Sequence, residues 1–233
     1  MVLFQKFSCF HYLCKNISGE EDTVYVRVFF CIILLVSGMT GLHASEYVKL
    51  MGMIEFKRPL SSLPVWIATM QRNMRQPVFK PGYMFNGREK ISWDTFRERA
   101  RNKQGKDLLR FVHQYWNARP YRSDRSVWGV DDYWEAPYEF IKNSGDCEDY
   151  AITKYFTLKA LGFPISRMRI GVMKDPVRDI AHATLIVYMD GTAYFMDNLS
   201  DAIVEHTFLH SYTLCFSVNE EHRWAHIRVR PRL

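Results

Sequence analysis

One cysteine of this 233-residue chain has neighbours that suit nucleophilic chemistry. Cys147 lies in residues 145–150, Gly-Asp-Cys-Glu-Asp-Tyr, at the predicted first turn of a helix. The positive end of a helix dipole favours the thiolate form of a cysteine. Downstream, His182 lies in one predicted strand and Asp197 in the next. A thiol, an imidazole and a carboxylate in this arrangement are the parts of a cysteine hydrolase.

The turn between those two strands predicts how they pair. Asp190-Gly191 is a two-residue hairpin signal. Extending its register places Thr184 opposite Asp197 and His182 opposite Leu199, so that His182 and Asp197 lie on the same face. His182 and Asp197 then become diagonal neighbours, roughly 6–8 Å apart at the backbone and within reach of a hydrogen bond. Either residue alone has an ordinary structural explanation, but together with the cysteine they fit one catalytic unit.

The chemistry of the three groups predicts a role for each. Cys147 attacks a carbonyl as a thiolate, and His182 takes the thiol proton and later delivers it to the leaving amine. Asp197 orients the ring and stabilises the imidazolium. The backbone N–H of Cys147 is a candidate oxyanion donor, and Asn117 and Trp134 are candidates for the second donor.

Three acids crowd the thiol, and two explanations compete for them. Asp146, Glu148 and Asp149 raise the pKa of a neighbouring thiol. They could be solvated first-turn acids that complement the helix dipole. They could instead bind a hard divalent cation such as calcium, which would cancel the repulsion. The spacing is not that of an EF-hand, so a further ligand must come from elsewhere, and Asp131 and Asp132 are the candidates.

Periodicity predicts helices first and strands afterwards. Helices are predicted over 65–75, from Ser92, over 105–117, from Pro137 to about Ser144 and from Cys147 to about Leu161. A period of two predicts strands over 167–174, 181–189, 192–197, 212–218 and 224–229. The order predicts an α+β domain, with N-terminal helices packed on a C-terminal antiparallel meander.

Within the cysteine-bearing helix, the pattern predicts which side chains face inward. Asp146 is the predicted N-terminal cap. Cys147 is expected to face the rest of the fold, whereas Glu148, Lys154 and Lys159 are expected to point away from it. The second cysteine downstream of residue 44, Cys215, lies in an apolar run and is expected to be an inert core thiol.

The first 44 residues are predicted to be a signal peptide or an uncleaved signal anchor with a long n-region. Arg27 precedes the apolar run 28–36, and Ala44 ends a small-residue site. Residues 45–233 are then enough for a single domain with its own core. The net charge of +6 comes without a basic stripe interleaved with aromatic residues, so no nucleic-acid partner is expected.

The residues around these positions resemble the bacterial transglutaminase-like cysteine peptidases of the LapG type. The likeness covers roughly residues 90–200 and includes Tyr115-Trp116-Asn117, Pro120-Tyr121-Arg122, Trp128-Gly129, Asp132-Tyr133-Trp134, Pro137, Glu139-Phe140, residues 145–151, Lys154-Tyr155, Leu161-Gly162, His182-Ala183, Leu185 and Asp197-Asn198. The resemblance implies a papain/transglutaminase-like fold and the triad Cys147, His182 and Asp197. It also implies calcium ligands, namely Asp146 and Glu148, with Asp132 and Asp149 in addition.

The resemblance also implies a biological setting. It points to a periplasmic, calcium-dependent endopeptidase that cuts a large surface adhesin near its N-terminus and so releases cells from a biofilm. An inner-membrane cyclic-di-GMP receptor is the implied partner. Two other functions use the same residues: a transglutaminase-like acyl transferase or amidase acting on peptide or peptidoglycan substrates, and a non-catalytic calcium-binding adaptor. The intact triad disfavours the adaptor.

Overall fold

The structure, a computed structural model, describes residues 48–175 and 180–228. The chain divides into two units, Met1–Glu46 and Tyr47–Leu233, and the described residues all belong to the second. The predicted signal segment, residues 1–44, lies outside the described residues and stays a prediction. No helix within the described ranges is both long and apolar enough to cross a bilayer.

The helices lie close to where periodicity predicts them. Their bounds are α1 Pro64–Arg75, α2 Trp93–Ala100, α3 Gly105–Asn117, α4 Asp124–Val127, α5 Pro137–Asn143 and α6 Cys147–Ala160. The Ser92 hydroxyl accepts a hydrogen bond from the Thr95 amide and caps α2. The short helix α4 was not predicted from the sequence, because residues 124–127 show no apolar periodicity.

The strands form two antiparallel sheets. Their bounds are β1 Ile54–Arg58, β2 Met84–Asn86, β3 Lys90–Ser92, β4 Met168–Asp175, β5 Ile180–Met189, β6 Thr192–Met196, β7 Val204–Glu205, β8 Thr213–Val218 and β9 Arg223–Ile227. The large sheet has the order β1-β9-β8-β4-β5-β6-β7, and β2 pairs with β3. The α+β prediction is therefore confirmed.

The expected simple meander is wrong in two places. Strand β8 returns to pair with β4 instead of following β7, and β1 from the N-terminal part of the domain closes the edge beside β9. Strand β1 was not predicted from the sequence. It is an edge strand whose residues are mostly exposed, so they show no clear alternation of apolar and polar side chains.

The predicted hairpin register is confirmed along its ladder. Met189 pairs with Thr192 and Leu185 with Met196. Asp190 and Gly191 have φ values of 53° and 71°, as a tight turn between twisted strands requires. The ladder ends at Met196, so the expected continuation of pairing beyond that residue is not part of β6.

Helix α6 is the centre of the fold and not an amphipathic surface helix. It packs against β5, α3 and α5, and its residues 148–158 are all buried. The expectation that Glu148 and Lys154 point away from the fold is therefore wrong, although Lys159 is exposed. A helix covered on several sides has no polar face to show in its sequence.

The prediction for Cys215 is also wrong. The two cysteines of the described residues, Cys147 and Cys215, are free, but Cys215 is exposed. Strand β8 alternates, so the fully buried Leu214 takes the inward position and its neighbour takes the outward one.

Candidate active site

The thiol of Cys147 lies at the first residue of α6, beside an acid. Its Sγ donates a hydrogen bond to Glu148 Oε2 at 3.1 Å. Burial raises the pKa of the Cys147 thiol, the negative charge of Glu148 raises it further, and the Ala183 backbone amide opposes both. In this arrangement the thiol holds its proton firmly.

Asp146 is the N-cap residue of α6, as predicted. Its own backbone N–H also donates to Asp149 Oδ2 at 3.0 Å. The second oxygen of Asp149 accepts from the Glu135 amide at 2.7 Å. Asp149 therefore ties the helix start to the preceding loop, a role that its fully buried position supports.

His182 and Asp197 form a hydrogen-bonded pair. The imidazole Nε2 lies 2.8 Å and 2.9 Å from the two oxygens of Asp197. Asp197 Oδ1 also accepts from the Leu199 amide at 3.0 Å. Burial alone would raise the pKa of Asp197, but the hydrogen bond and charge of His182 leave it lowered. Asp197 is therefore an ionised partner for the ring.

Cys147 and His182 line the same cleft, which has a volume of about 490 Å³. Within the described residues Sγ donates a hydrogen bond to Glu148, and no hydrogen bond joins it to the imidazole. The other lining side chains include an apolar set, with Leu63, Val65, Trp134, Val172 and Phe216, and an acidic set, with Asp131, Asp132, Asp146 and Glu148. A cleft with a thiol, an oriented imidazole and apolar walls can hold a peptide and attack its carbonyl.

The acids near the thiol form a cluster. Oxygens of Asp124, Asp132 and Glu148 lie within 4.8 Å of one another, and so do oxygens of Asp124, Asp146 and Asp149. Asp131, the other candidate donor, is absent from these groups because its carboxylate pairs with Arg125. Asp124 is shared by both groups, yet its sequence context gave no sign that α4 would bury it.

The cluster carries more negative charge than its surroundings balance. Burial and mutual repulsion raise the pKa of Asp124 to about 6, that of Glu135 to about 8 and that of Glu148 to about 9. The same two causes raise the pKa of Asp149. Within the described part of the chain no ion pair is recorded for these acids or for Asp146. Such groups either keep protons or take a cation.

One buried atom favours the cation. Asp146 Oδ1 is buried and has no hydrogen-bond partner among the described residues. An orphaned carboxylate oxygen in a set of converging carboxylates is a donor set that suits a hard oxygen-seeking ion such as calcium. The residues therefore fit the implied metal, and Asp124 joins the four ligands predicted from the sequence as a further candidate.

The two candidates for the second oxyanion donor, Asn117 and Trp134, have different positions relative to the cleft. Asn117 Nδ2 donates to backbone oxygens of Asp197 and Ser200, at 3.2 Å and 2.9 Å, so it is engaged beside the acid and does not line the cleft. Trp134 does line the cleft. Sequence reasoning had no means of separating them, because both lie near predicted helix ends.

The chain is similar to one known protein family and to several solved structures. The sequence model of the bacterial transglutaminase-like cysteine proteinases (BTLCP) matches residues 89–231, more than half of the chain. Three matching solved structures are of LapG from Legionella pneumophila, described as calcium-bound, without a stated treatment, and EGTA-treated. Each is 30% identical with a TM-score of 0.46, and the alignments cover 58% of this chain and 88%, 88% and 86% of the LapG chains. No curated protein matches the chain.

Proposed function

The chain belongs to the bacterial transglutaminase-like cysteine proteinase family, and we propose that it is a calcium-dependent cysteine endopeptidase that works in the periplasm. Its catalytic residues are Cys147, His182 and Asp197. The observation that carries the proposal is the pair of short contacts from His182 Nε2 to both oxygens of Asp197, beside a cleft that Cys147 also lines. Such a pair leaves an imidazole oriented for proton transfer.

The tautomer of His182 follows from its partner. Nε2 faces an ionised carboxylate at 2.8 Å, so it carries the ring proton and Nδ1 is left with its lone pair. Nδ1 accepts the proton of Cys147 as the sulfur forms a bond to the substrate carbonyl carbon. The imidazolium then gives the proton to the leaving amine, and water hydrolyses the acyl-enzyme. Asp197 stabilises the charged ring throughout.

The acid cluster supports the calcium part of the proposal. Asp124, Asp132, Asp146 and Glu148 would hold the ion, with Asp149 fixing the helix start behind them. When bound, calcium supplies positive charge that offsets the carboxylates beside the thiol. With that repulsion offset, the thiol of Cys147 would give up its proton to His182 more readily.

The family resemblance supports a substrate and a partner. We propose that the substrate is the N-terminal region of a large surface adhesin, so that cleavage controls biofilm attachment. An inner-membrane cyclic-di-GMP receptor is the proposed protein partner. The apolar walls of the cleft support a peptide substrate, since extended peptides bury alternate side chains against such walls.

One assay tests the activity. The protein is incubated with adhesin N-terminal fragments, with calcium or with a chelator, beside Cys147→Ala. Cys215→Ala is the matched control, because Cys215 is a free cysteine outside the cleft. We expect cleavage that needs calcium, that Cys215→Ala retains and that Cys147→Ala loses.

Other outcomes would count against the proposal. Full activity in Cys147→Ala would remove the thiol from the mechanism. Incorporation of amines, or release of muropeptide fragments, in place of adhesin cleavage would show acyl transfer or amidase activity with the same residues. Cleavage that a chelator leaves unchanged would remove the calcium requirement.

A further inference from the structure

A fully buried lysine holds the backbone just before the proposed catalytic acid. Lys154 lies in the middle of α6 with no exposed surface, and its Nζ donates to the Met196 carbonyl at 2.9 Å. Met196 is the last residue of β6, and Asp197 follows it directly. The catalytic roles that we propose do not use this lysine.

Two side chains of α3 hold the other side of the same segment. Residues 197–201 are called the acid loop below. Asn117 Nδ2 donates to the carbonyls of Asp197 and Ser200, at 3.2 Å and 2.9 Å. His113, one helical turn earlier, places Nε2 2.8 Å from the Ser200 carbonyl, so this nitrogen carries a proton and donates it. Donors from two helices therefore converge on one short stretch of backbone.

We propose that Lys154, Asn117 and His113 are positioning residues. They hold the acid loop so that both oxygens of Asp197 remain within hydrogen-bond distance of His182 Nε2. The inference rests on the proposed function, because it assigns these residues to the same triad. The three residues act on backbone carbonyls and not on substrate, so they set geometry and take no proton from the reaction.

The choice of a lysine at this place supports a specific role. A buried ammonium group is unfavourable unless charges and hydrogen bonds compensate for it, and a methionine of similar length would fill the space without that penalty. Burial lowers the pKa of Lys154 to about 7, while the negative charges of Asp197 and Asp201 oppose that shift. The carboxylates of Asp197 and Asp201 therefore partly compensate for the burial of the Lys154 amine.

The test substitutes Lys154→Met in the full chain, with Lys159→Met as the matched control. Lys159 is on the same helix but exposed, where it pairs with Glu220. Two readouts are measured: the imidazole Nε2–H proton resonance of His182 by NMR, and kcat and KM for a cleaved adhesin fragment. We expect Lys154→Met to lose the downfield Nε2–H signal and to lower kcat by about 10²-fold with KM little changed, because a small misplacement of a catalytic group has such effects.

A double substitution separates positioning from general stability. If Lys154 acts through Asp197, then Lys154→Met lowers kcat in the wild-type background and adds nothing in an Asp197→Ala background. An equal loss in both backgrounds, or an unchanged Nε2–H signal, would overturn the inference. Should Lys154→Met fail to fold in thermal melting, Asn117→Ala, which removes donors at a half-buried site, is subjected to the same cycle with the same expected results.

Failure of the inference can be told apart from failure of the proposed function. If Cys147→Ala abolishes cleavage and Asp197→Ala lowers kcat while Lys154→Met cleaves normally, the triad stands and the positioning role is wrong. If Cys147→Ala cleaves normally, the proposed function itself is wrong. In that case the NMR signal still reports whether Lys154 controls the His182–Asp197 hydrogen bond.

Discussion

Glu148 joins two parts of the site, because it touches the thiol and also belongs to the acid cluster. Its Oε2 accepts a hydrogen bond from Cys147 Sγ, and one of its carboxylate oxygens lies within 4.8 Å of oxygens of Asp124 and Asp132. Burial and the neighbouring charge of Asp146 raise the pKa of Glu148 to about 9, so a cation bound nearby would favour its ionised form. The state of this one side chain therefore couples the proposed ion site to the proposed nucleophile, Cys147.

A Glu148→Gln substitution tests this coupling. The amide keeps one oxygen ligand but removes the charge, so we expect the calcium concentration for half-maximal activity to rise by about 10–100-fold. The measurement is calcium binding by calorimetry together with activity against calcium concentration. Asp131→Asn is the control, because its carboxylate pairs with Arg125 outside the cluster. An unchanged calcium requirement in Glu148→Gln would exclude it as a ligand.

At the scale of single residues, positions that depend on local sequence patterns could be predicted. Cys147 follows a helix-start signal, and Asp197 follows a hairpin whose turn sets the register. Asp124 and Lys154 were missed or misjudged for a common reason. Each is buried by contacts with distant parts of the chain, and charged residues are by default expected at the surface.

Helix α6, which carries Cys147, is stabilised at its start by the side-chain carboxylate of Asp149. Asp149 accepts from the backbone of Asp146 and of Glu135. Gly145 gives it room, because a Cβ at that position would overlap the Asp149 carboxylate. The glycine is thus needed for close approach, and the stretch before Cys147 depends on it.

Gly145→Ala should therefore destabilise the domain. We expect a loss of about 1–3 kcal/mol in the free energy of unfolding, because the added methyl forces Asp149 from its position. Urea denaturation measures the loss. In an Asp149→Ala background the same substitution should add little, since the clashing group is gone. An equal loss of unfolding free energy in both backgrounds would mean that the added methyl group disturbs another part of the loop and not Asp149.

Elements were predicted more reliably than their arrangement. Helix α3 was predicted with both ends correct, because its apolar stripe is strong and one side is exposed. The position of β8 beside β4 could not be read from the sequence. Strand order depends on contacts between segments more than 30 residues apart, which alternation in a single strand does not encode.

For the molecule as a whole, buried histidines predict how stability depends on pH. Burial lowers the pKa of His113 to about 4, although its hydrogen bond to Ser200 opposes the shift. In the unfolded chain the histidine pKa is about 6.5. Between these values the unfolded state binds a proton that the native state does not, so stability falls as the pH drops from about 6.5 to about 4 and this loss levels off below that.

A His113→Gln substitution isolates this contribution. Glutamine can still donate to the Ser200 carbonyl but does not titrate. We expect the wild-type protein to lose up to roughly 3 kcal/mol more than the variant between pH 7 and pH 4. Urea denaturation at each pH gives the comparison. Parallel curves for the two proteins would mean that His113 binds its proton over the same pH range in the native and unfolded states, and that burial does not lower its pKa.

The acid cluster predicts a second property of the whole molecule, its response to a chelator. Uncompensated carboxylates from the loop before α5 and from the start of α6 repel one another, so an ion that binds them stabilises only the folded chain. With calcium at about 100 times its dissociation constant the gain is about 2.7 kcal/mol, and the melting temperature should fall by about 5–10 °C when a chelator removes the ion. Differential scanning calorimetry on the full chain measures this. Glu148→Gln should show a smaller shift and Asp131→Asn the full one. Equal melting temperatures with calcium and with chelator would mean that the cluster is held together by protons, and the carboxylates beside Cys147 would then need another source of compensation.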